Sequence, residues 1–478
     1  MASKTTLNAK NLEALGTQRL AELLIEISTG SAASKRRLRI ELAGNHGSAE
    51  VAREVRKRLV SIARARTFIN WRKVKALKKD LETQRMTIVD TLAPQDPAEA
   101  FELVWQFLAL GDSIFARSDD GSGTLIEIFH QACTDAGVIA RLARVNTDFL
   151  ADKIFAAVQD NGYGQYDRLI TAMAPALGKD GLEQLKSLFE QLAKEPKDKS
   201  AQHERQVIGW SSKGPVYDDD FYGNHRELTV RVAFQEIADA LGDVDAYIAQ
   251  QPENTRKVPM IAADIANRLL VAGRAEEALT ALDRVETRGR TDVPVEWQLA
   301  RVKTLETLER GDEAQAYRWS CFEHSLNDQH LRDFLRRLPD FDDMEAEERA
   351  YGYVQAFPDA NRALAFFLRW PSLEEAAKLV TTRQVELDGD LYELMTAAAE
   401  ALQEKHQLAA TILLRSMIDF TLSRARSSRY KHAARHLAEC QALAPHIDDF
   451  GNAQSHDAYV AGLKYGHGKK QGFWKHLG

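Results

Sequence analysis

Apolar residues recur every three to four positions along almost the whole chain, and strict apolar/polar alternation over five positions is hard to find. A period near 3.6 puts such residues on one face of a helix, so the pattern predicts an all-α protein. In the first part it predicts helices over 17–27, 34–42, 48–66, 71–92, 97–110, 124–143, 147–159 and 180–193. Local signals mark some of their ends. Asp96-Pro97 reads as an N-cap followed by proline at the first helical position, opening a helix with Phe101, Val104, Trp105 and Leu108 in one stripe. Ser372-x-x-Glu375, just after Pro371, is a capping box.

From residue 225 the helices pair. Three short turns, Leu241-Gly242-Asp243, Ala272-Gly273-Arg274 and Arg310-Gly311-Asp312, each follow one periodic stretch and precede another, with their glycines 31 and 38 residues apart. That is close to the period of helical-hairpin repeats. The predicted pairs are 226–241 with 243–250, 258–271 with 275–286, and 294–309 with 312–325. In the second pair Ile265, Leu269 and Leu270 face Ala278, Leu279 and Leu282, and alanines at 275, 278 and 281 permit close approach. Further helices are predicted over 344–356, 360–369, 372–382, 389–404, 407–424, 428–443 and 453–465. Residues 194–224, with a charged run to Lys199 and a Gly/Ser/Asp tract from Gly209 to Asp220, break the pattern and are expected to form a loop or linker. The expected organisation is a basic helical module at 1–93, a helical region at 94–193, the linker at 194–224, and an α-solenoid of helical hairpins at 225–478 ending in a His/Lys-rich tail.

Composition leaves this picture intact. The 478 residues are 44% apolar and 28% charged, as in folded globular proteins. No run of about 18 apolar residues is present, so no membrane-spanning helix and no membrane partner are expected. The stretch Met1 to Leu20 is polar and does not read as a signal peptide. Three scattered cysteines, Cys133, Cys321 and Cys440, argue against a disulfide framework and point to a reducing cytoplasm.

Charge changes the picture more. The net charge of −7 conceals basic ends: residues 1–90 hold 19 Lys and Arg against nine Asp and Glu, and 400–478 hold 11 against seven. The cations of the first segment are Lys35, Arg36, Arg37 and Arg39, then Arg53, Arg56, Lys57, Arg58, Arg64 and Arg66, then Arg72, Lys73, Lys75, Lys78 and Lys79. They wrap their helices as much as they stripe them. Contact with nucleic-acid phosphates or an acidic partner is one reading, with Phe68 and Trp71 available to stack on bases. The other reading is a solvated helix surface with both aromatics in the core, or a basic end packed on the acidic middle of the same chain or of a second copy.

Six of the 13 histidines lie between 432 and 476. His432 and His436 are an i, i+4 pair of the kind that can chelate a metal, but Ala433 stands where a zinc-protease motif needs Glu. Cys440 is eight residues from His432, about 12 Å along a helix at 1.5 Å per residue. A site would need a further ligand from elsewhere, so no metal or cofactor is expected. In the tail, His467, Lys469, Lys470, Phe473 and Trp474 are candidates for a second contact. The loop Ser118–Gly123 lacks the Lys-Ser/Thr ending of a phosphate loop and the last-position Glu of a calcium loop, and no Gly-x-Ser-x-Gly occurs, so no catalytic residue is nominated.

Ala363 to Val380, Leu408 to Asp419, Arg429 to Cys440 and His467 to Trp474 together resemble a bacterial family known only as a domain of unknown function. Phe68-Ile-Asn-Trp-Arg72 and Leu241-Gly-Asp-Val-Asp-Ala246 resemble, more distantly, the helical region that accompanies SWIM-type zinc fingers, although the Cys-x-Cys…Cys-x-His finger is missing here. The resemblance implies a tetratricopeptide-like helical fold and no activity. The expected function is a cytoplasmic scaffold that binds a protein or peptide partner. The alternatives are nucleic-acid binding through residues 35–79 and, third, a metal-binding protein or enzyme using the C-terminal histidines.

Overall fold

The computed structural model of the protein describes residues 6–195, 207–211, 214–286 and 293–477. The fold is all-α with a repeated helical-hairpin pattern, as the periodicity predicts. One departure lies in the expected linker at 194–224. Its residues 196–206, 212 and 213 fall outside the described residues, but Val207–Ser211 and Gly214–Tyr217 pair as a short antiparallel hairpin, and helix Asp218–Leu241 follows at once. The described residues form two compact units, Met1–Pro252 and Glu253–Gly478.

In the first unit most helices stand within a few residues of their predicted bounds. Helix Pro97–Leu108 begins as Asp96-Pro97 requires: the Asp96 carboxylate accepts from the Glu99 N–H at 3.1 Å, and Phe101, Val104 and Leu108 are buried. Helix Leu169–Lys194 starts earlier than predicted. Pro175 and the left-handed Gly178 interrupt it, which hides its first half from a periodicity count, yet Leu169, Ile170 and Met173 are fully in the core. It packs against Ile126–Leu142, Thr147–Gln159 and Asp218–Leu241. The last contact puts Val230, Ala233 and Ile237 in the same core as Leu185 and Phe189. Gly137 makes the first contact close: a Cβ there would run into the carbonyl oxygen of Ala172.

In the second unit most helices pack on the next and several on the next but one. Pro259–Val271 touches both Ala275–Asp283 and Val295–Thr307, which in turn touches Gly311–Ser325. This nearest-neighbour packing is the hallmark of a helical-repeat fold. Two helices of this unit lie outside the predicted spans, the short Gln471–Trp474 and Asp328–Leu335; the start of the latter is capped by the Asn327 side chain, which accepts from the N–H groups of Gln329 and His330. Ser372 stands at the start of Leu373–Thr382 as its capping box predicts, but its side chain makes no capping bond. Glu375 is drawn away instead, accepting from Gln355 Nε2 at 2.7 Å.

The three turns share one geometry, though not at the three glycines. Asp243, Arg274 and Arg310 each donate their N–H to the carbonyl five residues back, on Ala238, Leu269 and Leu305, at 2.9, 2.8 and 2.9 Å. This Schellman arrangement needs a left-handed residue just before the donor. Gly242 (φ 70°) and Gly273 (φ 74°) fill that place in the first two turns, but Glu309 (φ 57°) fills it in the third, while Gly311 is the first residue of the next helix. Arg274 then pairs with Glu277 and Arg310 with Glu313.

Candidate nucleic-acid interface

The basic segment of the first unit spans helices Ala32–Gly44, Ser48–Ala63 and Trp71–Met86 and the loop between the last two. Helix Ser48–Ala63 buries Val51, Val55, Leu59 and Ile62, and helix Trp71–Met86 buries Val74 and Leu81, so cations between these positions must lie on the flanks or outside.

Tertiary packing sorts them into two groups. Arg58 donates its Nε–H to Asp80 at 3.0 Å, and Arg36 reaches the same carboxylate oxygen at 3.1 Å. Arg56 reaches Glu99 at 2.5 Å, on helix Pro97–Leu108. Arg53 pairs with Glu50, Lys57 stands 4.0 Å from Glu54, and Lys78 stands 3.7 Å from Glu82, each within its own helix. These cations have partners already. Arg37, Arg39, Arg64, Arg66, Arg72, Lys73, Lys75 and Lys79 are exposed and form no ion pair among the described residues. Five of them, from Arg64 to Lys75, surround one loop.

That loop is held firmly from below. Ile69 is buried; its N–H donates to the Arg117 carbonyl at 2.8 Å, and its own carbonyl accepts from the Asp119 N–H at 3.3 Å. The Arg117 guanidinium reaches back to the carbonyls of Thr67 at 3.2 Å and Ile62 at 3.3 Å, and burial pulls its pKa below the ordinary value. Pinning Ile69 inward turns its neighbours outward: Phe68 is 61% exposed and Trp71 is 67% exposed, with the Arg72 guanidinium 5.0 Å from the Trp71 ring centre. The reading that placed both aromatics in the core is therefore corrected. Arg117 lies about 50 residues from the loop, and nothing in the sequence connects the two.

The chain belongs to DUF6880, a family of unknown function. The family's model matches residues 2–476, nearly the whole chain. No curated protein matches it. The family assignment carries no activity, so the side chains must supply the functional argument.

Other candidates fare differently. The tail is part of the second unit's core: Phe473 is 0% exposed and packs edge-on against Tyr430 and Trp474. Trp474 Nε1 donates to the His467 carbonyl at 3.0 Å, and Lys470 bonds the Leu422 carbonyl. Phe473 is thus a packing residue rather than a contact residue; Lys469 alone of the five candidates is exposed. His432 is exposed but His436 is 1% exposed, with Nδ1 3.0 Å from Glu439 and the Tyr392 ring beside both imidazoles. Burial lowers the His436 pKa, against the pull of Glu439. Among the described residues no group of three or more His, Cys, Asp and Glu side chains is placed to hold a metal ion. Cys133, Cys321 and Cys440 are free and buried, and burial raises all three thiols, to about 12, 11 and 12.

Proposed function

We propose that the chain binds single-stranded nucleic acid on the loop 64–75. The observation that carries this reading is a pair of exposed aromatics, Phe68 and Trp71, on a pinned backbone among five cations that form no ion pair among the described residues. Phosphates are attracted by such unpaired cations, and unstacked bases find aromatic faces to stack on. Pre-ordering of the loop lowers the entropy lost on binding. Three buried free cysteines accord with the cytoplasmic location that goes with this reading. The distant likeness to SWIM-associated helical regions stands beside it without adding a finger. A scaffold for a protein or peptide partner is the other reading of a helical-repeat chain. The repeat by itself names no occupant, whereas the loop presents a chemistry.

The test is fluorescence anisotropy with a labelled oligothymidylate over a series of salt concentrations. If all five cations contact phosphates, log affinity falls against log salt with a slope of roughly −3 to −4. Phe68→Ala and Trp71→Ala each weaken binding by about 1–3 kcal/mol without unfolding the protein, because both side chains are exposed. Arg64→Glu with Arg66→Glu flattens the salt slope. Absence of binding to both single strands and duplex at low salt would falsify the proposal.

A further inference from the structure

Two stretches of the second unit carry cations and no acids. Residues 420–438 hold five Lys and Arg, residues 458–478 hold four, and neither contains Asp or Glu. Nothing in their spacing joins them, but packing does. Lys470 Nζ bonds the Leu422 carbonyl near the end of helix Gln407–Ser423, two residues before Arg424. Phe473 packs edge-on against Tyr430, and a Cβ on Gly472 would meet the same ring at 3.4 Å, which sets the tail beside Lys431. Trp474 Nε1 donates to the His467 carbonyl and so ties the tail to the end of helix His456–His467.

The fold itself occupies three of the nine cations. Arg429 reaches Asp390 at 2.7 Å, Arg435 reaches Glu439 at 3.2 Å, and Lys470 is held by the Leu422 carbonyl. The other six, Arg424, Arg426, Lys431, Lys464, Lys469 and Lys475, are exposed and form no ion pair among the described residues. Like charges gathered in this way repel one another, and a polyanion relieves that repulsion while releasing its own condensed counterions. Tyr465 narrows the class of polyanion. It is 97% exposed, faces away from the buried Tyr459 and Leu463 of its own helix, and stands directly after Lys464 and four residues before Lys469. An acidic polypeptide gains little from such a ring, whereas an unstacked base finds a face to stack on. Ser427 and Ser428, exposed in the turn after Arg426, add hydroxyl donors of the kind that hold phosphate oxygens.

We propose that this surface is a second binding site for single-stranded nucleic acid, with the six cations on phosphates and Tyr465 under a base. The inference rests on the nucleic-acid reading of loop 64–75 for its class of ligand, and it shares no residue with that loop. The experiment is titration calorimetry of the full chain at low salt with an oligothymidylate of about ten nucleotides, within the span that a single binding module covers. Two molecules are expected per chain. Arg64→Glu with Arg66→Glu should leave one, and so should Arg426→Glu with Lys431→Glu and Lys469→Glu; all five side chains are exposed, so both variants should fold. Tyr465→Ala changes no charge and should weaken the second site about 5- to 150-fold, as loss of one stacked base does. An oligoglutamate of matching charge is the acidic-polypeptide probe and should bind this surface more weakly, with no response to Tyr465→Ala. The proposal is overturned if a single molecule binds and only the Arg64/Arg66 variant removes it, if Tyr465→Ala leaves the second affinity unchanged, or if oligoglutamate binds the surface as tightly as the oligothymidylate. A single molecule removed only by the Arg426/Lys431/Lys469 variant would instead sink the reading of loop 64–75 and leave this site standing. No binding at all would end both.

Discussion

Arg58 lies against Asp80 with its Nε 3.0 Å from the carboxylate, across the gap between helices Ser48–Ala63 and Trp71–Met86. Arg36 shares the same oxygen, so one nearly buried carboxylate ties three helices of the basic segment together. In a segment with so few acids, this carboxylate decides which cations are structural.

Asp80→Ala should therefore destabilise the protein by about 2–4 kcal/mol, because it leaves two partly buried guanidiniums without their counter-charge. Arg64→Glu, at an exposed position with no ion pair among the described residues, should change stability by less than about 0.5 kcal/mol. Urea unfolding midpoints of the two variants distinguish the groups. Equal losses would mean that the sorting of cations is wrong.

Gly137→Ala should cost about 2–4 kcal/mol, since the added methyl meets the Ala172 carbonyl, a backbone atom that can yield only if the helices separate. The measurement is a thermal melt, compared with Gly352→Ala, where a Cβ meets open space and the loss should be absent.

Glu309→Gly should stabilise by about 0.5 kcal/mol. The native residue holds φ 57° in the third turn, a conformation that glycine adopts without strain, and the entropy of a glycine offsets only part of that gain. Gly273→Ala, at the equivalent place in the second turn, should instead destabilise by about 1 kcal/mol. Opposite signs in chemical unfolding are the expected result.

Stability should also fall in mild acid. Burial lowers the pKa of both His330 and His436, so the folded state favours their neutral forms. Their contribution is complete above the unfolded value of about 6.5 and is lost as pH falls below it towards the lower folded values. Thermal midpoints measured from neutral pH downward should show this decline, and His330→Gln with His436→Gln should flatten it. His330 Nε2 lies 2.8 Å from Gln298 Oε1, a bond that glutamine can imitate.

The helices and their turns are legible in the residues alone. A 3.6-residue period is a local property, and so are the Asp96-Pro97 start and the left-handed glycines at 242 and 273; each was legible because its cause lies within a few residues. The excess of positive charge in the first 90 residues is legible there too. Where local signals conflict, as at Pro175 and Gly178, periodicity hides the first half of a buried helix, and the third turn, which the sequence centres on Gly311, is made by Glu309.

What those elements do was decided by the tertiary structure. Whether a cation is free depends on acids 22 to 44 residues away, as with Arg58 and Arg36 on Asp80, and on Glu99 for Arg56. Whether Phe68 and Trp71 are buried depends on Arg117, and whether Phe473 is a surface aromatic depends on Tyr430. Asp419 accepts a hydrogen bond from Tyr459, 40 residues along the chain. Periodicity records which face of a helix is apolar, but ion pairs and burial are set by long-range packing, which brings together residues whose spacing in the chain carries no signal.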